Sequence, residues 1–222
     1  NYLSVFGRSL WLAVLTTLLT LLIGYPFAYF TAGLPPKKRS LALMLVIVPF
    51  WTNSLVRIYG WMILLRGQGV VNSLLAALGL IDAPLKLLYN FGAVLVGMVY
   101  ALIPFMILSV YNAVAKLDPA LIEAARDLGA GRWRAFWTIT VPMTRAGIMA
   151  GCVLVFIPSI GLFFISDLLG GSKTMLLGNL IRDELLTARN WPLGAALSVV
   201  MMAATLLVIG GYRRLSGEKS LE

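Results

Sequence analysis

Lys116-Leu117-Asp118-Pro119-Ala120-Leu121-Ile122-Glu123-Ala124-Ala125-Arg126-Asp127-Leu128-Gly129 is a polar island between two long apolar runs. Asp118 is a good helix N-cap. Pro119 suits the first helical position, where its missing N–H would have no partner anyway. Gly129 is free to take the left-handed conformation that closes a helix. The pattern predicts a helix of about ten residues over Pro119–Leu128. Leu121, Ala124, Ala125 and Leu128 fall close to one side at helical spacing. The two alanines would let another protein's surface approach the backbone. After the turn, Arg132, Trp133, Arg134, Phe136 and Trp137 interleave aromatics with arginines. At this level three readings stay open: an interfacial anchor, a docking helix, or a nucleic-acid patch.

The flanks narrow the choice. Leu10–Ala32, Leu87–Ala115, Ala146–Ser166 and Asn190–Tyr212 are uncharged apolar runs long enough to cross a bilayer as helices. Ser40–Leu65 is a fifth, broken only by Arg57. Gly67–Ile81 is uncharged but too short, and reads as an interfacial or cavity-facing helix. The 222 residues are 60% hydrophobic and 12% charged, against roughly 45–50% and 25% in a soluble domain. The expectation is an all-α integral membrane protein, because lipid leaves no partner for an unpaired backbone. Cys152 is the one cysteine and histidine is absent. No intrachain disulfide forms, and the usual general base and commonest transition-metal ligand are missing. The net charge of +9 invites a nucleic-acid reading, but the positions of the charges argue against it.

Five spans make the loops alternate between two sides. Lys37, Lys38, Arg39, Lys116, Arg126, Arg132, Arg134, Arg145, Arg213, Arg214 and Lys219 share one side. Arg8, Arg66, Lys86, Lys173, Arg182 and Arg189 share the other. The richer side is cytoplasmic by the positive-inside rule. The N-terminus then lies outside without a signal peptide, which predicts an upstream span and six in the native protein. The expected organisation is a transmembrane domain over 1–215 holding a cytoplasmic loop at 116–142, with a cytoplasmic tail at 216–222. Pro49, Pro104 and Pro158 predict central breaks in three successive spans and hence a shared cavity or gate. Gly147 and Gly151 allow close helix packing, within the subunit or with a partner.

Glu123-Ala124-Ala125, three residues, Gly129, nine residues, Ile139, one residue, then Val141-Pro142 resembles the EAA loop of binding-protein-dependent ABC importer permeases. Val141, where that family has leucine, is the one departure. Tyr25–Ala28, Val48–Gly60, Glu123–Ala130 and Gly161–Gly171 extend the likeness over nearly the whole chain to spermidine/putrescine permeases of the PotB kind. The resemblance implies a type I (MetI-like) permease bundle and a coupling helix seated in a groove of a separate ATPase subunit. Pro119, Glu123, Ala124, Ala125, Asp127, Leu128 and Gly129 would make that contact, with Glu123 as its polar anchor. It also implies a second homologous permease, an ATPase dimer that binds the ATP and Mg, an external substrate-binding protein, and an inner-membrane location. The chain itself would carry no catalysis, cofactor or metal. Gly170-Gly171-Ser172-Lys173-Thr174 is no P-loop: Ser172 and Asp167 stand where the motif has glycines.

For a polyamine, aromatic faces and carboxylates are the expected seats. Trp51, Tyr59, Tyr100, Phe163 and Phe164 supply rings, Thr52 and Asn53 lie beside a midspan proline, and Asp167 is the carboxylate best placed to attract an amine. Arg57 lies 17 residues after Ser40, or ~25 Å along a straight helix, near the outer boundary. The rival expectations are a permease for another small solute, or a stand-alone transporter or channel whose Arg/Trp loop merely anchors in lipid.

Overall fold

The computed structural model describes residues 2–171 and 174–216. Ser172, Lys173 and most of the expected tail, including Lys219, lie outside the described residues. Helix α1 (Tyr2–Ala32) has 31 residues, about 46 Å at 1.5 Å each. Leu34-Pro35-Pro36 ends it, and Pro36 opens α2 (Pro36–Ile47). A short 3-10 turn (Val48–Trp51) leads to α3 (Ser54–Leu64), and α4 (Val70–Ala77) follows. In α5 (Phe91–Val114) the N-cap is Asn90, whose Oδ1 accepts from the Ala93 N–H at 2.8 Å. Then come α6 (Pro119–Asp127) and α7 (Arg132–Ala135), which runs through a π turn into α8 (Val141–Gly161). The chain ends with α9 (Phe163–Ile165), α10 (Leu177–Arg182) and α11 (Trp191–Ser216).

Helices α1, α5 and α8 pack on one another and hold the core, where Leu12, Met98, Met106 and Val155 are fully buried. Gly147 and Gly151 of α8 face Ser109, Ala113 and Met106 of α5. The small-residue pair therefore serves packing within the subunit. Two polar links cross the same trio. The Ser109 hydroxyl donates to the Gly147 carbonyl at 2.8 Å, and the Tyr25 and Thr144 hydroxyls meet at 3.0 Å. Helix α11 lies on the outside, with 6% of its most apolar stretch buried.

Among the described residues four helices are long and apolar enough to cross a membrane. The expected fifth span is corrected in form. It is two pieces, Pro36–Trp51 and Ser54–Leu64, bent by 96°. It still crosses. Ser9 of α1 accepts from Leu177 N–H at 2.8 Å, and Gly170 packs against Val94, so these segments share one end of the bundle. Helix α3 packs on the Ser166–Gly170 turn at that end, whereas α2 starts beside the other end of α1.

Two further expectations change. Pro104 and Pro158 lie inside continuous helices, so only Pro49 coincides with a break. The reason is local. After Pro49, the Thr52 hydroxyl donates to the Pro49 carbonyl at 2.7 Å and Asn53 Oδ1 accepts from Leu55 N–H at 2.8 Å. One helix is closed and the next is capped within five residues. The other two prolines have no such pair behind them. The bend also shortens the path to Arg57, which lies level with Tyr100 near the middle of α5 rather than at the outer boundary.

Candidate functional site

The loop expected on the cytoplasmic side folds as its residues dictate. Asp118 Oδ1 accepts from Ala120 N–H at 3.0 Å, and Pro119 opens α6. At the far end Gly129 N–H donates to the Arg126 carbonyl and Ala130 N–H to the Ala125 carbonyl, both at 2.9 Å, with Gly129 at φ +83°. That bond pair is a Schellman closure, and it needs a residue at ease in the left-handed region. Pro119, Glu123, Ala124, Asp127 and Leu128 are exposed. Ala125 differs: it is half-buried against the chain's own loop, as is Ile122. Successive residues turn by about 100°, so Leu121, Ala124 and Leu128 form one free apolar strip. Leu128 is 89% exposed, which in water is a face without its cover.

The second region is the break between α2 and α3. Trp51, Thr52, Asn53, Val56 and Tyr59 are all exposed there, Trp51 to 83%. They are exposed residues, mostly aromatic or polar, along the bend and the start of α3. Thr52 Oγ1 and Asn53 Oδ1 are committed to the capping bonds above. Behind this surface the Arg57 guanidinium sits 4.4 Å from the Phe50 ring centre and 5.8 Å from that of Tyr100. Tyr100 packs on Trp61 at 5.5 Å. Half-buried, Tyr100 touches both Trp61 and Arg57. The Arg57 Nε–H is buried and donates to no partner among the described residues.

The third region gathers Phe163, Asp167, Asn179, Arg182 and Asp183 at the end of the bundle that holds Ser9 and Leu177. Arg182 pairs with Asp167 and, at 2.7 Å, with Asp183, while its guanidinium carbon lies 5.2 Å from the Phe163 ring centre. The other Asp167 oxygen accepts from Asn179 Nδ2 at 2.6 Å. Hydrogen bonding to Asp183 first, against some desolvation, and then the Asp167 pair push the Arg182 pKa above its ordinary value. The seats expected for an alkylammonium, Asp167 and Phe163, are thus held by the chain's own cation. Asn179 and Arg182 escaped the reading of the sequence because the partner they share, Asp167, lies 12 and 15 positions away, with no local pattern linking them.

This cluster is a structural tie, and it is about one-third exposed. Asp167→Asn is expected to lower stability by roughly 1 kcal/mol after solvent screening, read from thermal unfolding in detergent. It should leave the apparent KM for uptake unchanged. A KM shift without loss of stability would return Asp167 to the pathway.

The family described as "Binding-protein-dependent transport system inner membrane component" matches residues 24–217. The chain is 48% identical over 221 residues to the spermidine/putrescine transport system permease protein PotB of Escherichia coli K12, covering 98% of this chain and 80% of that protein. Among solved structures, a bacterial alginate ABC transporter in complex with its alginate-bound periplasmic protein matches with a TM-score of 0.80 at 20% identity. That match covers 97% of this chain and 78% of the other. The MetNI methionine ABC transporter, facing inward, matches at 0.67 and 16% identity over 97% and 96% of the two chains. At such identities the structures speak for the fold alone.

Proposed function

The chain belongs to the family of binding-protein-dependent transport system inner membrane components, and from that premise we propose that it forms one half of the path of an ATP-driven polyamine importer. Its bundle is that of a type I, MetI-like permease, set in the inner membrane. The family's membrane component works with a second permease, an ATPase and a binding protein. In this reading an external binding protein delivers spermidine or putrescine to the outer mouth. The ATPase dimer supplies ATP and Mg chemistry from its own residues.

The observation that carries the coupling role is the free strip of Leu121, Ala124 and Leu128 on a capped helix in a cytoplasmic loop. An ATPase groove would cover it, with Glu123 and Asp127 at its edge. Force on α6 passes through the Gly129 turn and α7 into α8, which is continuous with α7 and packed on α1 and α5. A tilt of that trio would change the cavity open to each side. For the pathway the candidates narrow to Trp51, Thr52, Asn53 and Tyr59, all exposed at the bend or early in α3. Rings at that surface hold ammonium groups by cation–π attraction. Tyr100, Phe163 and Asp167 serve as supports, since Arg57 and Arg182 occupy them. The polyamine assignment rests on the 48% likeness over almost the full chain.

The test uses Ala124→Cys in a Cys152→Ser background, in the full chain assembled with its subunits. A cross-link to the ATPase, together with ATP-dependent spermidine uptake into proteoliposomes, is expected. Absence of the cross-link in a transporting complex sinks the coupling role. ATP-driven transport of another solute with no polyamine uptake sinks the substrate.

A further inference from the structure

Beneath α1, on the cytoplasmic side, a cavity of about 740 Å³ opens between the inner half of α1 and the loop that carries α6 and α7. Its walls are apolar and aromatic: Leu22, Tyr25 and Tyr29 from α1, Ile122 from α6, Phe136 and Trp137 from the segment entering α8. The rings brace one another, Phe136 lying 5.7 Å from Tyr25, 5.6 Å from Tyr29 and 5.3 Å from Trp137. Two cations, Arg126 and Arg132, share the lining with them. Neither arginine forms an ion pair among the described residues, and no carboxylate lines the cavity. Trp133, also on the lining, is 77% exposed and Trp137 62%.

We propose that this cavity holds an anionic phospholipid, its headgroup phosphate between Arg126 and Arg132 and its upper acyl chain against Tyr25, Tyr29 and Phe136. Charge and position choose the occupant. A polyamine is repelled by two unpaired arginines. An apolar protein segment would fill the aromatic walls but leave both cations without a counter-charge. A phospholipid satisfies walls and cations together, at the depth where tryptophans and basic side chains meet headgroups. The ATPase seat does not compete for it. Ile122 and Arg126 project from α6 roughly a third to nearly half a turn away from the Leu121–Ala124–Leu128 strip. Basic pockets between helices on the cytoplasmic side are the general form of such lipid sites.

The full chain, purified with its accompanying subunits, is placed in phosphatidylcholine vesicles. Its tryptophan emission is titrated with brominated phosphatidylglycerol and, separately, with brominated phosphatidylcholine. The share of emission lost in Trp133→Phe/Trp137→Phe defines the cavity signal. Half-quenching of that share is expected at about fivefold lower mole fraction of the anionic lipid. Arg126→Gln/Arg132→Gln should abolish the preference, and Arg126→Lys/Arg132→Lys should keep much of it because the charges remain. Equal quenching by the two lipids overturns the proposal, as does a preference that survives both glutamines. So does protection of both tryptophans from either lipid, since a protein segment then fills the space. None of these readouts depends on ATP or on transport.

Discussion

Gly129→Val should cut ATP-driven uptake by roughly 5–30-fold while leaving insertion and the amount of folded protein nearly unchanged. The range follows from the left-handed region, where an L-residue pays about 1–2 kcal/mol, which is a factor of roughly 5–30 in an equilibrium. Gly129 sits at φ +83° with nothing within 4 Å of an added Cβ. The penalty is therefore conformational and not steric. It falls on the Schellman closure that sets the angle between α6 and α7. A seated helix would need that angle restored, so the strain appears as weaker docking rather than as unfolding of a bundle held by α1, α5 and α8. Asn tolerates the left-handed region, so uptake should rank Gly, then Asn, then Ala, with the β-branched Val lowest. Glu123→Ala should lower coupling without touching the turn, because its side chain is exposed at the edge of the strip. Wild-type uptake and ATPase stimulation in Gly129→Val would remove the turn from the mechanism.

The same turn shows why this part of the chain was legible. Asp118, Pro119 and Gly129 act within their own few residues, so their physics is written locally and the observed helix, Pro119–Asp127, differs from the expected one at a single position. The half-buried state of Ala125 was not legible, because it depends on where the loop folds back. The broken span is an intermediate case. Pro49 alone does not distinguish a bend of 96° from the continuous helices around Pro104 and Pro158. The signal lay in Thr52 and Asn53, whose short side chains close one helix and cap the next. Beside a midspan proline they point to cavity polarity, and the structure adds backbone pairing as a use of both. Tertiary pairs were out of reach altogether. Tyr25 and Thr144 are 119 positions apart, and only the packed trio brings them into contact. Arg182 taking the places expected for an amine on Asp167 and Phe163 is of the same kind.

Gly147→Leu is expected to destabilise the bundle by about 3 kcal/mol or more, whereas Gly151→Ala should cost about 1 kcal/mol. The two glycines look equivalent in sequence and are not. A Cβ at Gly147 would stand 2.4 Å from the Ala113 Cβ and 2.9 Å from the Ser109 carbonyl oxygen. Neither can turn aside: one is fixed to the backbone, the other is backbone. Helices α5 and α8 must separate, and the Ser109 hydroxyl then loses the Gly147 carbonyl it holds at 2.8 Å. At Gly151 the nearest atom is the Met106 sulfur at 2.7 Å, part of a flexible side chain that can shift where backbone cannot. The Ser109 Cβ at 3.3 Å needs only a small shift. Denaturant-induced unfolding in mixed micelles separates the cases: Gly147→Leu should unfold at much lower denaturant, or fail to accumulate in the membrane. Gly147→Ala provides the finer comparison, since it adds only the clashing carbon and should fall well below Gly151→Ala. Equal midpoints for the two alanine variants would mean that α5 and α8 lie farther apart than these distances, and would remove the proposed path of force from α8 to the core.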